Sequence, residues 1–130
     1  MPSGAQSGTD AAELFSRANA ARRSGSPEAM RLYQQLLQRY PRSAEATTAQ
    51  VVLGRMLLGS RPEQALQHYR AYLAAQPSGA LAQEALYGTA RCLQRLGRSG
   101  EERAAWRKLL ERYPKSFYAK MARERLGMEH

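Results

Sequence analysis

The chain reads as an all-α protein: an α-solenoid of three antiparallel helix pairs with a C-terminal capping helix. Three observations predict this. A phrase recurs three times, as "YQQLLQRYPRSAEA" from Tyr33, "YRAYLAAQPSGALA" from Tyr69 and "WRKLLERYPKSFYA" from Trp106. Its prolines, Pro41, Pro77 and Pro114, stand 36 and 37 residues apart, a spacing at which self-similarity marks stacked helical pairs. The composition, 43% hydrophobic and 24% charged and rich in Ala, Leu, Arg and Gln, favours helix.

Each element follows from its punctuation. Asp10 with Glu13 signals the start of a first helix over 10–24, in which Ala11, Leu14 and Ala18 form an apolar stripe. Gly25 closes it, and Ser26 and Pro27 open a second helix over 27–39 that carries Ala29 and Tyr33. Ser43 caps a third, 43–58, with Ala46, Ala49 and the pair Leu53-Gly54 at helical spacing, closed by Gly59. Pro62 begins the fourth, 62–75, with Ala65 and Tyr69. Ser78 caps the fifth, 79–96, with Ala82, Ala85 and Thr89-Ala90, closed by Gly97. Ser99 and Glu102 have capping-box spacing at the head of the sixth, 100–112, which carries Trp106. Ser116 opens the seventh, 116–127, with Ala119, Ala122 and Leu126-Gly127. Small residues on one stripe let the next helix approach closely, and the aromatic eight residues before each proline fills the space between. The expected organisation is a flexible leader over 1–9, one domain over 10–127 with repeats at about 10–41, 43–77 and 79–114, a cap helix over 116–127, and a tail over 128–130.

Catalysis finds little support. The chain has no glycine-rich phosphate loop, no zinc-protease motif and no nucleophile elbow. His68 has no second His or Cys spaced to share a metal, and His130 is the terminal residue. Cys92 is the one cysteine, which leaves no intrachain disulfide and reads as a packed small hydrophobe. Glu101 and Glu102 are adjacent and point in different directions on a helix, and negative charge is favourable at a helix N-terminus for structural reasons. The expectation is no enzyme, no cofactor and no metal. No apolar run approaches the roughly 18 residues of a membrane span, and no signal peptide is visible.

Charge suggests a partner class. The net charge is +9, and the segment 95–125 holds ten Lys/Arg against four Glu, a balance of +6. Arg103, Arg107, Arg112, Lys115, Lys120, Arg123 and Arg125 form a candidate basic patch for nucleic acid or another anionic surface, with Trp106 or Tyr113 available to stack on bases; against nucleic acid, Trp106 takes the repeat's packing position and no RNA- or DNA-reading motif is present. Phe117, Tyr118 and Met121 near the last helix offer a route to self-association.

The repeated phrase resembles the tetratricopeptide repeat. Ala29 and Ala65, the aromatics Tyr33, Tyr69 and Trp106, the three prolines and Leu53-Gly54 match that family's signature positions. Glu102 and Ala90 depart from it, standing where the pattern has Ala and Gly. The turn "YP-x-S-x-x-A" is similar to that of YbgF/CpoB-like periplasmic coordinators and BamD-like outer-membrane assembly lipoproteins, and to repeat segments that follow anti-sigma or FecR-like regions. The resemblance implies a non-catalytic protein-binding module in a bacterial envelope or regulatory assembly, with a periplasmic or envelope location favoured. It also implies a concave groove lined by Phe15, Asn19 and Arg22, by Val51, Arg55 and Leu58, and by Tyr87, Arg91 and Gln94, suited to an acidic peptide. Phe15 and Val51 stand where a carboxylate clamp would need cations, so a clamp for C-terminal carboxylates is not expected.

Overall fold

The computed structural model describes residues 4–128, with side chains from Asp10 onward. Among these residues there are seven helices and no strand: α1 (Gly4–Arg23), α2 (Glu28–Arg39), α3 (Ala44–Leu57), α4 (Pro62–Ala75), α5 (Ala82–Arg95), α6 (Ser99–Arg112) and α7 (Ala119–Leu126). None is long and apolar enough to cross a membrane. The chain divides into two compact units, Met1–Leu53 and Gly54–His130.

In the first unit α1 packs on α2. Ala11, Leu14 and Ala18 of α1 are buried, as are Ala29 and Tyr33 of α2, all expected inside, and Leu32 and Leu36 of α2 join them. In the second unit packing is consecutive: α4 on α5, α5 on α6, α6 on α7. Trp106, Leu109, Leu86, Ala90, Ala122 and Leu126 form one core cluster there.

Helices end where the prolines dictate. Tyr40, Gln76 and Tyr113, each directly before a proline, have φ of −132°, −138° and −137°, because a residue in that position is pushed out of the helical region. Each then accepts a turn-closing bond on its carbonyl, from the backbone N–H of Ser43, Gly79 and Ser116 respectively. At Gly97, φ is +71°, and the bonds Gly97 N–H to Gln94 and Arg98 N–H to Leu93 close α5 in a Schellman motif. Gly59 is not among the positive-φ glycines; α3 ends through bonds from Ser60 and Arg61 to the Leu57 carbonyl.

Several expected starts move. α1 begins at Gly4, so it takes in most of the expected leader and Asp10 lies inside the helix instead of capping it; no proline interrupts backward propagation between residues 3 and 26. Ser43 is a working cap, its hydroxyl accepting the Ala46 N–H at 3.0 Å. Ser78 is not: its hydroxyl accepts from Arg112, and the Tyr72 hydroxyl accepts the Leu81 N–H at 3.0 Å, so α5 starts only at Ala82. Ser116 accepts the N–H of Tyr118, and α7 starts at Ala119. Ser99 is the first residue of α6 and makes no side-chain cap, while Glu102 turns inward, away from the capping-box role.

Candidate protein-binding face

The second unit carries the fuller surface. Its elements are the last turn of α3, one stripe of α5 and the turn entering α7. On α5, Tyr87, Arg91 and Gln94 recur at helical spacing and each is half-buried. The Tyr87 ring stacks on Tyr118 with centroids 4.1 Å apart and planes 15° apart, and meets Trp106 edge-on at 6.0 Å. Phe117 stands edge-on to Tyr118 at 5.6 Å and is 94% exposed. A large apolar ring held in the open by a neighbouring ring is the kind of feature that marks an interaction site.

Arg55 of α3 lies over the same stripe, already paired within the unit. Arg55 is not a free cation: its guanidinium grips the Glu84 carboxylate with two nitrogens. That bond, ahead of any other influence, raises the Arg55 pKa. The Glu84 charge also reaches Tyr118, whose hydroxyl is pushed up first by burial and then by that neighbour. Arg91 differs, since its one partner is the neutral Gln94 amide oxygen, at 2.9 Å. Leu58 is half-buried.

In the first unit, Phe15 meets Tyr33 edge-on at 6.2 Å, and the Tyr33 hydroxyl donates to Asn19 and accepts from Arg22 Nε. Asn19 and Arg22 therefore serve the burial of a tyrosine hydroxyl, a use that their surface spacing alone does not reveal. Val51 is wholly buried, so it belongs to the core and lends nothing to a face that a partner touches.

The basic patch also separates. Arg125 pairs with Glu102, Arg112 donates to Ser78, and Arg103 donates to the Leu126 carbonyl at 3.3 Å. Arg107, Lys115, Lys120 and Arg123 remain without a hydrogen bond or ion pair among the described residues. Tyr118 and Met121, named for self-association, pack on the core, leaving Phe117 exposed.

The other titratable groups read as packing. Cys92 is buried, and burial pushes its thiol up to about 11, which makes thiolate chemistry at neutral pH unfavourable. Burial pushes the His68 pKa down. Among the described residues no three His, Cys, Asp or Glu side chains gather as metal ligands.

The family model described as tetratricopeptide repeat matches the chain over residues 14–43 and 84–116. Those two segments are similar to tetratricopeptide repeats. They correspond to α1–α2 and α5–α6 with the turn after each, so one matched segment lies in each unit. Both end in Tyr-Pro-x-Ser, and in both an arginine lies over the tyrosine ring: Arg39 over Tyr40 at 5.5 Å and Arg112 over Tyr113 at 5.9 Å. The α4 turn has Gln76 and Gly79 instead, and Tyr72 does the bonding. No curated protein matches the chain. Tetratricopeptide repeats generally mediate protein–protein interaction, and the family is typically non-catalytic.

Proposed function

We propose that the chain is a protein-binding module whose recognising face, within the second unit, is Phe117, Tyr87 and Arg91. The observation that carries this reading is Phe117, 94% exposed beside the Tyr87–Tyr118 stack. An aromatic anchor of this kind loses water completely only when a partner covers it. Arg91, paired with nothing more than a neutral amide, is the cation best placed to hold a carboxylate. The partner is then a peptide or protein segment that offers an apolar side chain to Phe117 and an acidic one to Arg91. The Tyr-Pro-x-Ser turns, similar to those of envelope coordinators, support a bacterial envelope or regulatory assembly as its setting.

The test is affinity capture from envelope and cytoplasmic fractions with wild type, Phe117→Ser and Arg91→Glu side by side. A protein retained by wild type and lost from both variants supports the face. Equal recovery on all three overturns it, and recovery of nucleic acid alone, released by moderate salt, moves the function to Arg107, Lys115, Lys120 and Arg123.

A further inference from the structure

Two grooves in the second unit are one groove repeated. The first, about 350 Å³, is lined by Arg70 and Leu73 of α4 and Thr89 of α5, and α6 closes its far side with Glu101, Ala104, Ala105 and Lys108. The second, about 290 Å³, is lined by Arg103, Arg107, Leu110 and Glu111 of α6, by Leu126 of α7 and by Met128. Arg70 and Arg107 both stand seven residues before a proline, Leu73 and Leu110 four before, and Thr89 and Leu126 twelve after. Three lining positions thus correspond one for one.

The difference lies in the far wall. In the first groove Arg70 donates to Glu101 of α6 at 3.1 Å. In the second, Arg107 has no such partner, and among the described residues no helix follows α7. At the register of Leu86, buried in the first groove, α7 carries Arg123, also without an ion pair. The second groove therefore keeps the apolar floor, and each groove is lined by two cations and one carboxylate: Arg70, Lys108 and Glu101 in the first, Arg103, Arg107 and Glu111 in the second.

We propose that the α6–α7 groove docks an amphipathic helix of a partner protein, seated as α6 is seated on α4 and α5. The helix presents a glutamate in its first turn to Arg107 and, three and four residues on, small residues to Leu110 and Leu126. The repeat geometry sets its direction, and Arg107, which lacks the carboxylate that Glu101 gives Arg70, selects a glutamate at that position of the partner helix. A second copy of this chain does not fit the role, because its own α6 is held by Trp106 and Leu109, both 0% exposed. This site shares no residue with the Phe117 face, so each can fail alone.

The probe is a fluorescent synthetic peptide with the sequence of α6, Ser99–Arg112, titrated into the whole chain and read by anisotropy. Saturable binding is expected, weakened about tenfold or more by Arg107→Glu in the chain or by Glu101→Lys in the peptide, since each places like charges together. Combining the two reversals restores it, and Phe117→Ser leaves it unchanged. Absence of saturable binding overturns the proposal, as does binding indifferent to Arg107→Glu. So does binding that Arg70→Glu weakens in place of Arg107→Glu, which would mean that the peptide displaces the chain's own α6.

Discussion

Tyr69 and Trp106 occupy the same register position, eight residues before a proline, and both are buried, yet their surroundings solve the packing problem in different ways. Around Tyr69 the neighbouring helices give up side chains. A Cβ added at Gly54 of α3 would meet the Tyr69 ring at 2.7–2.8 Å, and one at Gly88 of α5 at 2.3–2.5 Å, so the ring lies directly on two bare backbones. Around Trp106 the environment gains polarity. The indole N–H donates to Glu102 at 2.7 Å, and Arg125 of α7 donates to the same carboxylate at 2.8 and 3.0 Å. A tyrosine keeps its polar atom at the tip, whereas a buried indole carries a donor that must be met within the core. The small residue of the family pattern cannot accept that bond. Glu102 can, and its charge in turn requires a cation, which α7 supplies. One joint is shaped by removal of atoms, the other by a chain of three substitutions that ties the last helix down.

The largest effect is expected at Glu102. Glu102→Ala leaves the Trp106 N–H buried without an acceptor, which costs about 1–3 kcal/mol, and removes the side chain that holds Arg125. A loss of about 2–3 kcal/mol for the second unit is expected in denaturant titration. Trp106 is the only tryptophan, so its fluorescence reads this joint alone. Glu102→Gln keeps an acceptor and should cost less than half as much. Equal costs for the two variants would show that charge, not the indole bond, governs the joint.

Next comes Gly88→Ala. Alanine gains about 1 kcal/mol in helix propensity over glycine, while forcing a methyl into a filled core costs about 1–3 kcal/mol. Tyr69 cannot yield easily, since Gly54 lies on its other side. Net destabilisation of about 1–2 kcal/mol is therefore expected. In a Tyr69→Leu background the cost should shrink or change sign, a coupling that a thermal-melt double-mutant cycle measures. Additive effects would mean that the ring and the glycine do not meet.

These joints also show where sequence reasoning reached and where it stopped. Prolines, Schellman glycines and small-residue stripes act within a few residues, and they placed six of the seven helices to within about three residues at each end. The Glu102 role was hidden because its spacing from Ser99 already had a local explanation, the capping box, and the true partner Arg125 lies 23 residues away. Gly88 was hidden because the repeat alignment draws the eye to Ala90. The groove residues were the least legible. Val51 and Arg55 fit a surface pattern, but whether a side chain is buried, as Val51 is, or paired, as Arg55 is with Glu84, depends on neighbours that the pattern does not contain.

Acid should reach the two joints unequally. Arg125, then the Trp106 bond, hold the Glu102 carboxyl below its ordinary value near 4.5. A carboxyl with a depressed folded pKa contributes stability that is fully present above its unfolded value and is lost as pH falls through the folded one. Lowering the pH below about 4.5 should thus loosen the Trp106 joint, seen as a fall in unfolding midpoint that Glu102→Gln largely lacks. Parallel curves for the two proteins would remove Glu102 as the cause.

The smallest effects should come from the residue next door. Glu101 and Glu102 are adjacent on α6, and both pair with an arginine of another helix, but Glu101 and Arg70 have side chains 55% and 50% exposed while Glu102 is 7% exposed. Arg98–Glu63 is likewise open, at 41% and 54%. Water and salt screen such pairs, and holding two long side chains still costs entropy, so each contributes about 0–1 kcal/mol. Glu101→Ala and Glu63→Ala should shift stability by no more than about 0.5 kcal/mol at physiological salt, and by less at 1 M. Glu102→Ala, one residue along the same helix, should keep its cost at high salt, because its main loss is a buried hydrogen bond that ions do not screen. If high salt erased the difference between these neighbouring glutamates, the indole bond would not be what holds Trp106, and the contrast with Tyr69 would reduce to ring size.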